Sequence, residues 1–132
     1  MAMKRYLRHG LMLLLLFTAI SGCKEKVVVP DFEGRYFIDN KTPISIQVQA
    51  KDGADFLVLQ NSQIAKASIE QIYATDGGSS AGALPTNVFT EFKVFVRTGI
   101  KDSVIYQGLN NSDWEVRNSG DDFSEYYLTI QP

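Results

Sequence analysis

Polar and apolar residues alternate along much of the chain after residue 33, and this period of two predicts β-strands. Residues 44–49 are an example, in which isoleucine or valine alternates with serine or glutamine. Such alternation puts the apolar side chains on one face of a strand and the polar ones on the other. The Asp52-Gly53 pair that follows is typical of a tight hairpin turn. Residues 56–59 are therefore predicted to form the returning strand.

The longest alternation covers residues 86–97 and carries apolar residues on both of its faces. One face is predicted to hold Val88, Phe92, Val94 and Val96, and the other Phe89, Glu91, Lys93, Phe95 and Arg97. Aromatic residues on both faces indicate that one face is exposed or covered by a partner. Packing in the core remains the default interpretation, because a small domain without disulfides needs large side chains.

Further strands are predicted at residues 103–106, 114–116 and 126–130, with turn sequences rich in Asn, Ser and Asp between them. Residues 64–73 fit a helix or a bulged strand, and we predict a strand. The small and flexible sequence at residues 76–85 is interpreted as an inserted loop. Seven or eight short strands at a spacing of about 8–12 residues indicate an all-β fold. We predict an immunoglobulin-like β-sandwich of short antiparallel strands, with a small lipocalin-like β-barrel as the alternative.

The beginning of the chain differs in character from the rest. Basic residues at positions 4, 5 and 8 precede an apolar run at residues 11–20, which is the order found in a secretory signal. A spanning helix needs roughly 20 apolar residues, so this run favours a signal over a membrane span. The run ends in the sequence ISGC at residues 20–23.

This ending resembles the lipobox of bacterial lipoproteins, in which an aliphatic residue and two small residues precede a cysteine. The resemblance implies cleavage between Gly22 and Cys23, diacylglycerol on the Cys23 thiol, and acylation of the new amino group. Each buried methylene contributes about 0.8 kcal/mol, so two or three acyl chains give lasting attachment to a membrane. The chain then divides into a signal peptide at 1–22, a lipid-anchored tether at 23–31 and a single β domain at 32–132.

The mature chain would be acidic. The full chain has 13 lysines and arginines against 15 aspartates and glutamates. Three of the basic residues lie in the signal, which leaves ten against 15 and a net charge of −5. Nucleic acid requires basic patches, so we expect no nucleic-acid partner.

Catalytic side chains are scarce in the mature chain. His9, the only histidine, lies in the signal, and Cys23 is the only cysteine. This excludes Ser-His-Asp and Cys-His catalysis and zinc bound by His or Cys. Asp113 and Glu115 flank Trp114, but an exposed strand face beside a turn explains them better than a glycosidase pair does. We therefore predict no catalytic residue, no cofactor, no metal site and no enzymatic activity.

Two other sites are candidates for interaction. Trp114, Tyr126 and Tyr106 are predicted to form an aromatic binding surface. The sequence DSV at residues 102–104 resembles the short O-glycosylation site of exported Bacteroidota proteins, which implies a glycan on Ser103.

The lipobox, the acidic β domain and the Tyr-rich last strand together resemble small surface lipoproteins of Bacteroidota. The resemblance implies an outer-membrane lipoprotein on the periplasmic or cell-surface face, and it implies no known activity. We expect a non-enzymatic accessory that binds an envelope protein; the alternative is a small-molecule or glycan binder with a barrel or aromatic-face site. A closed barrel with an apolar cavity above about 300 Å³ would favour the ligand binder, and a filled core with an exposed apolar strand edge would favour the protein binder. The oligomeric state is left open.

Overall fold

Two four-stranded sheets pack face to face around the apolar sides of their strands. The computed structural model describes residues 31–75 and 78–132. Its elements in chain order are β1 (Glu33–Asn40), β2 (Ile46–Asp52), β3 (Leu57–Ile64), β4 (Ser68–Thr75), a helical turn α1 (Pro85–Val88), β5 (Phe89–Thr98), β6 (Lys101–Gln107), a 3-10 turn (Asn111–Asp113), β7 (Trp114–Ser119) and β8 (Phe123–Ile130). Sheet A has the strand order β4-β1-β8-β7, and sheet B has the order β3-β2-β5-β6.

This arrangement confirms the all-β sandwich of short strands. The barrel alternative is wrong, because the two sheets are separate and neither closes on itself. One pairing departs from the antiparallel expectation: β1 and β8 run parallel, from Glu33 opposite Phe123 to Asn40 opposite Ile130. The strand order also differs from the ABED and CFG sheets of immunoglobulin constant domains. The first and last described strands therefore lie side by side in the middle of sheet A.

Aromatic rings fill the centre of the core. The Tyr36 ring lies edge-on to Phe89 and Trp114, with centroids 5.1 and 6.1 Å apart. Trp114 in turn lies 5.2 Å from Phe92. All four side chains are buried. Such pairs contribute about 0.5–1.5 kcal/mol each beyond the burial of their area. This contribution stabilises a domain without an internal disulfide, because the whole chain has a single cysteine.

Strand β5 differs from the strand predicted at residues 86–97 in its start and in its faces. Pro85–Val88 forms one helical turn, and β5 begins at Phe89. Near this end, consecutive residues of β2 lie opposite residues of β5 that are two positions apart: Lys51 lies opposite Glu91 and Asp52 opposite Phe89. The extra residue is a β-bulge, which turns Phe89 to the same side as Phe92 and into the core. The predicted placement of these two residues on opposite faces is therefore wrong.

The ambiguous segment at residues 64–73 contains no helix. Strand β3 ends at Ile64, and a turn carries the chain from sheet B to sheet A, where β4 begins at Ser68. The prediction of a strand is thus confirmed from Ser68 onwards. Ile44 differs from its prediction, because β2 begins two residues later and the Ile44 side chain is half-exposed.

Asn40, at the end of β1, is fully buried and forms four hydrogen bonds through its side chain. Its Nδ2 group donates to the carbonyl oxygens of Ile44 and Ala65, each at 2.9 Å. Its Oδ1 atom accepts from the backbone N–H and the hydroxyl of Thr42, at 3.0 and 2.7 Å. The amide therefore holds the β1–β2 loop to the β3–β4 turn.

Residues 78–84, within the predicted loop, pack over one end of the core. Ala83 is buried, and its carbonyl accepts a hydrogen bond from the Tyr36 hydroxyl. Burial raises the pKa of this hydroxyl, which keeps it protonated and able to donate. Gly34 allows the close approach, because a Cβ atom there would lie 3.0 Å from the Ala83 Cβ. The described part of this loop closes the core and is more than a tolerated insertion.

Candidate functional site

The three residues predicted to form an aromatic binding surface do not lie together at the surface. Trp114 and Tyr126 are each only 5% exposed and belong to the core. The register explains this burial, because Trp114 lies opposite the buried Leu128 and Val116 lies opposite Tyr126 on the inner face of sheet A. Tyr106 is partly buried near the end of β6. The predicted surface is therefore wrong for Trp114 and Tyr126.

The carboxylates beside Trp114 have separate partners. The Tyr106 hydroxyl donates to the Asp113 carboxylate at 2.8 Å. Burial, together with this hydrogen bond, raises the pKa of Tyr106. Glu115 instead accepts from the Arg117 guanidinium at 2.8 Å. The two carboxylates are therefore engaged in different local contacts.

Two partly exposed aromatic rings lie side by side on the outer face of sheet A. Phe37 of β1 and Tyr127 of β8 stack with their centroids 4.5 Å apart and their planes at 7°. The Arg117 guanidinium, from β7, lies 4.5 Å from the Tyr127 centroid. We call these three residues the sheet A stack. A sugar ring would need an open aromatic face, and both faces of Tyr127 are occupied by its neighbours.

Ion pairs hold the sheet A stack in place. Arg117 contacts Asp39 at 2.9 Å, and Lys41 contacts the same carboxylate at 3.0 Å. Burial by itself raises the pKa of Asp39, but the ion pairs with Lys41 and Arg117 outweigh it and hold the pKa below its usual range. The carboxylate therefore stays charged, and the stack is best explained as a brace across β1, β8 and β7.

Exposed apolar side chains concentrate on the hairpin of β5 and β6. Ile100, in the turn, is fully exposed, and Val104 and Ile105 are 48% and 45% exposed. A bulge opposite Phe95 leaves Ile105 without a partner in β5. Within the described residues, β6 pairs with β5 on one side and with no strand on the other. We call this free side of β6, with Ile100, Val104 and Ile105, the β6 edge.

The other outer strands are less open to pairing. Strand β3 contains Asn61 in the left-handed conformation, with φ of 54°, and two irregularities in its pairing with β2. Its exposed apolar residue, Leu57, is the first of the strand. Strands β4 and β7 each expose one large apolar side chain, Ile69 and Val116 respectively. On β3 the exposed Phe56 precedes Leu57, but the irregular pairing of that strand discourages strand addition. On β4 and β7 the exposed large apolar residue is a single one.

The sandwich is also more open beside β6 than on its opposite side. A three-residue turn joins β3 to β4 and brings their adjoining ends together, whereas six residues separate β6 from β7. Val116 of β7 illustrates this opening, because it lies opposite the buried Tyr126 and is nevertheless 51% exposed. The β6 edge therefore borders the less protected side of the core.

Of the remaining predicted sites, one lies outside the described residues and one lies within them. Gly22 and Cys23 lie outside the described residues, so cleavage and lipidation stay predictions. Ser103 is exposed on β6, beside Asp102, whose carboxylate binds Arg97 at 2.8 Å. A glycan on Ser103 also stays a prediction, and it would stand on the β6 edge.

Two kinds of feature are absent from the described part of the chain. Residues 31–75 and 78–132 contain no group of three His, Cys, Asp or Glu side chains placed to hold a metal ion. They also contain no helix long and apolar enough to cross a membrane. Comparison with protein families, curated proteins and solved structures finds no match to this chain.

Proposed function

We propose that this chain is a lipid-anchored lipoprotein of the bacterial outer membrane and that its β domain is a non-enzymatic module that binds an envelope protein. The observation that carries the binding role is the β6 edge, where adjacent apolar residues are exposed on a strand with a free side. The proposed occupant is an extended segment of the partner, which adds to sheet B as a fifth strand beside β6.

Strand addition suits the chemistry of β6. Backbone N–H and C=O groups on the free side of β6 (Lys101–Gln107) can bond an added strand, and each such bond contributes about 0.5–1.5 kcal/mol net. Val104 and Ile105 supply apolar area that the added strand would cover. The charged residues Lys101 and Asp102 lie at one end of β6, so the uncharged remainder can accept an apolar segment.

The proposed lipid anchor makes a modest contact sufficient. A module and a partner held at the same membrane meet at a raised effective concentration, which increases occupancy without any new contact. The anchor at Cys23 and the β6 edge are therefore complementary parts of one proposal. The scarcity of catalytic side chains in the mature chain supports the accessory role over an enzymatic one.

The anchor gives the first prediction. In the native host, Cys23→Ala should abolish incorporation of labelled fatty acid into the chain, because the thiol that accepts diacylglycerol is gone. Lys24→Ala, one residue further on, should incorporate fatty acid as the wild type does. Label that persists at wild-type level in the Cys23→Ala chain would contradict lipidation at this residue.

The β6 edge gives the second prediction. In the lipidated full chain, the double variant Val104→Lys and Ile105→Lys should reduce crosslinking to a defined envelope partner at least about tenfold, because charges on an edge strand oppose strand addition. The measurement is crosslinking in the native envelope, with the partner identified by mass spectrometry and compared between variants.

Ile69→Lys is the matched control, because Ile69 is 50% exposed on β4, an edge strand of the other sheet. It should leave the same crosslink unchanged, and both variants should melt near the wild-type temperature. Equal loss of the crosslink in the two variants would count against the β6 edge. A purified wild-type chain that dimerises through β6 would replace the proposed partner with a second copy.

A further inference from the structure

A polar cleft of about 380 Å³ lies on the outer face of sheet B, beside the bulged start of β5. Its floor comes from side chains of β2 and β5 that alternate with core residues such as Val48 and Phe92. Its wall is formed by the chain that leaves β6 at residues 107–109. Gly108 makes this exit possible with φ of 135°, and its N–H donates to the Phe92 carbonyl at 3.1 Å. The cleft thus follows from two irregularities of the sheet.

One row of the cleft consists of Gln49, Lys93 and Gln107. These residues are cross-strand partners on β2, β5 and β6, so they lie on neighbouring strands about 4.8 Å apart. Among the described residues, none of the three side chains has a hydrogen-bond or ion-pair partner. The Lys93 ammonium lies 4.8 Å from the Phe95 centroid. Lys93 thus holds its ammonium over the Phe95 ring, with Gln49 and Gln107 beside it on the neighbouring strands. A ligand would displace no hydrogen bond or ion pair of Lys93 within the described residues.

The second row is different, because its charges are already paired. Lys51 binds Glu91 at 3.1 Å and Asp55 at 3.5 Å. Lys51 and Glu91 are cross-strand partners, one step along the sheet face from the first row. This row offers a carboxylate that can accept hydroxyl hydrogens. Lys93 is the lining cation that forms no ion pair within the described residues; its charge acts on Asp102, whose pKa is lowered mainly by Arg97 and to a smaller extent by Lys93.

We propose that this cleft binds a hydroxylated carboxylate, of the chemical class found in sugar acids. The Lys93 ammonium is the group for the carboxylate, because charge-assisted hydrogen bonds are about twice as strong as neutral ones. The amides of Gln49 and Gln107 can each donate and accept, which matches hydroxyl groups. The lining is mainly polar, which disfavours an apolar ligand, and the volume lies within the usual range for small-molecule sites, about 300–1,000 Å³.

The test titrates the full chain, solubilised in detergent micelles, with three probes by calorimetry. Glucuronate carries the carboxylate and the hydroxyls, glucose carries hydroxyls alone, and acetate carries a carboxylate alone. Glucuronate should bind at least about tenfold more tightly than either of the other two, because only it engages both parts of the row. Equal affinity for glucose and glucuronate, or no binding of glucuronate, would overturn the proposal.

Variants locate the site. Lys93→Gln should lower glucuronate affinity about tenfold or more, whereas Lys101→Gln removes an exposed lysine outside the cleft and should have no effect. Equal loss in both variants would overturn the assignment to the cleft. Galacturonate oligomers distinguish the two sources of this chemistry: tighter binding than the monomer identifies a glycan chain, and equal binding identifies the free acid.

This proposal is separate from the partner contact. The double variant Val104→Lys and Ile105→Lys changes the β6 edge and none of the cleft residues, so it should still bind glucuronate. Lys93→Gln should still form the envelope crosslink. Either proposal can therefore fail without the other.

Discussion

Replacing Phe89 with alanine should lower the free energy of unfolding by about 3–5 kcal/mol, the range typical of a fully buried phenylalanine. Its ring is 1% exposed and lies 5.1 Å from Tyr36 and 5.4 Å from Phe92. Truncation removes these contacts and leaves a cavity that rings on both sheets would have to fill. Urea unfolding of the full chain in detergent micelles measures the loss. Trp114, the only tryptophan, stacks on Phe89 at 6.4 Å and reports on the transition by its fluorescence.

Phe56→Ala is the matched control, because the Phe56 side chain is 68% exposed just before β3. Its loss should stay within about 0.5 kcal/mol, as for most surface substitutions. The comparison tests the bulge of β5 directly. If Phe89→Ala destabilises the chain no more than Phe56→Ala does, Phe89 faces outward as simple alternation predicts.

The error over Phe89 shows what alternation can and cannot predict. Alternation assigns faces correctly as long as a strand is regular. It correctly put Phe92 and Val94 on one face, which is the core face of β5. One extra residue reverses the assignment on its far side. The sequence around Thr90 does not indicate the bulge, because the bulge depends on the pairing of β5 with β2.

The sandwich itself could be predicted because short alternating strands and turn sequences are local signals. The partners of the strands could not, because pairing joins residues far apart in the chain. The parallel pairing of β1 with β8 brings together residues about 90 positions apart, such as Arg35 and Glu125. With this pair central in sheet A, β4 and β7 are its outermost strands. In sheet B the central pair is β2 with β5, which leaves β3 and β6 outermost.

The candidate surface was harder to predict than the fold. Strand β8 carries aromatic residues on both faces, so its sequence does not tell whether Tyr126 or Tyr127 points inward. The inward position goes to Tyr126, which stacks on Tyr36 in the core, and Tyr127 is covered instead by Phe37 and Arg117. The two covering residues lie on β1 and β7, so no local pattern in β8 indicates them.

The contribution of Asn40 to stability is hard to predict from the sequence, because asparagine is common before a turn. Replacing it with alanine should lower the free energy of unfolding by about 2–4 kcal/mol, since four hydrogen bonds are lost and some buried groups are left without a partner. The two carbonyls that its Nδ2 group satisfies belong to Ile44 and Ala65. Thr42 limits the cost, because its hydroxyl also contacts the Ile44 carbonyl at 3.0 Å.

Two measurements together distinguish the loss of the Asn40 hydrogen bonds from the loss of side-chain volume. Urea unfolding gives the loss of stability, with Asn118→Ala as control, because Asn118 is exposed on β7 and has no side-chain hydrogen bond within the described chain. Hydrogen exchange of the Thr42 amide should quicken in Asn40→Ala well beyond what the lower global stability explains, because that N–H donates to the Asn40 Oδ1. If exchange at Thr42 follows global stability alone, the Asn40 side chain only fills space and does not hold the loop. The loop and the turn that Asn40 joins lie where β3 and β4 link the two sheets. Loss of the Asn40 hydrogen bonds should therefore open the sandwich on the side of β3 and β4 and leave the β6 edge unchanged.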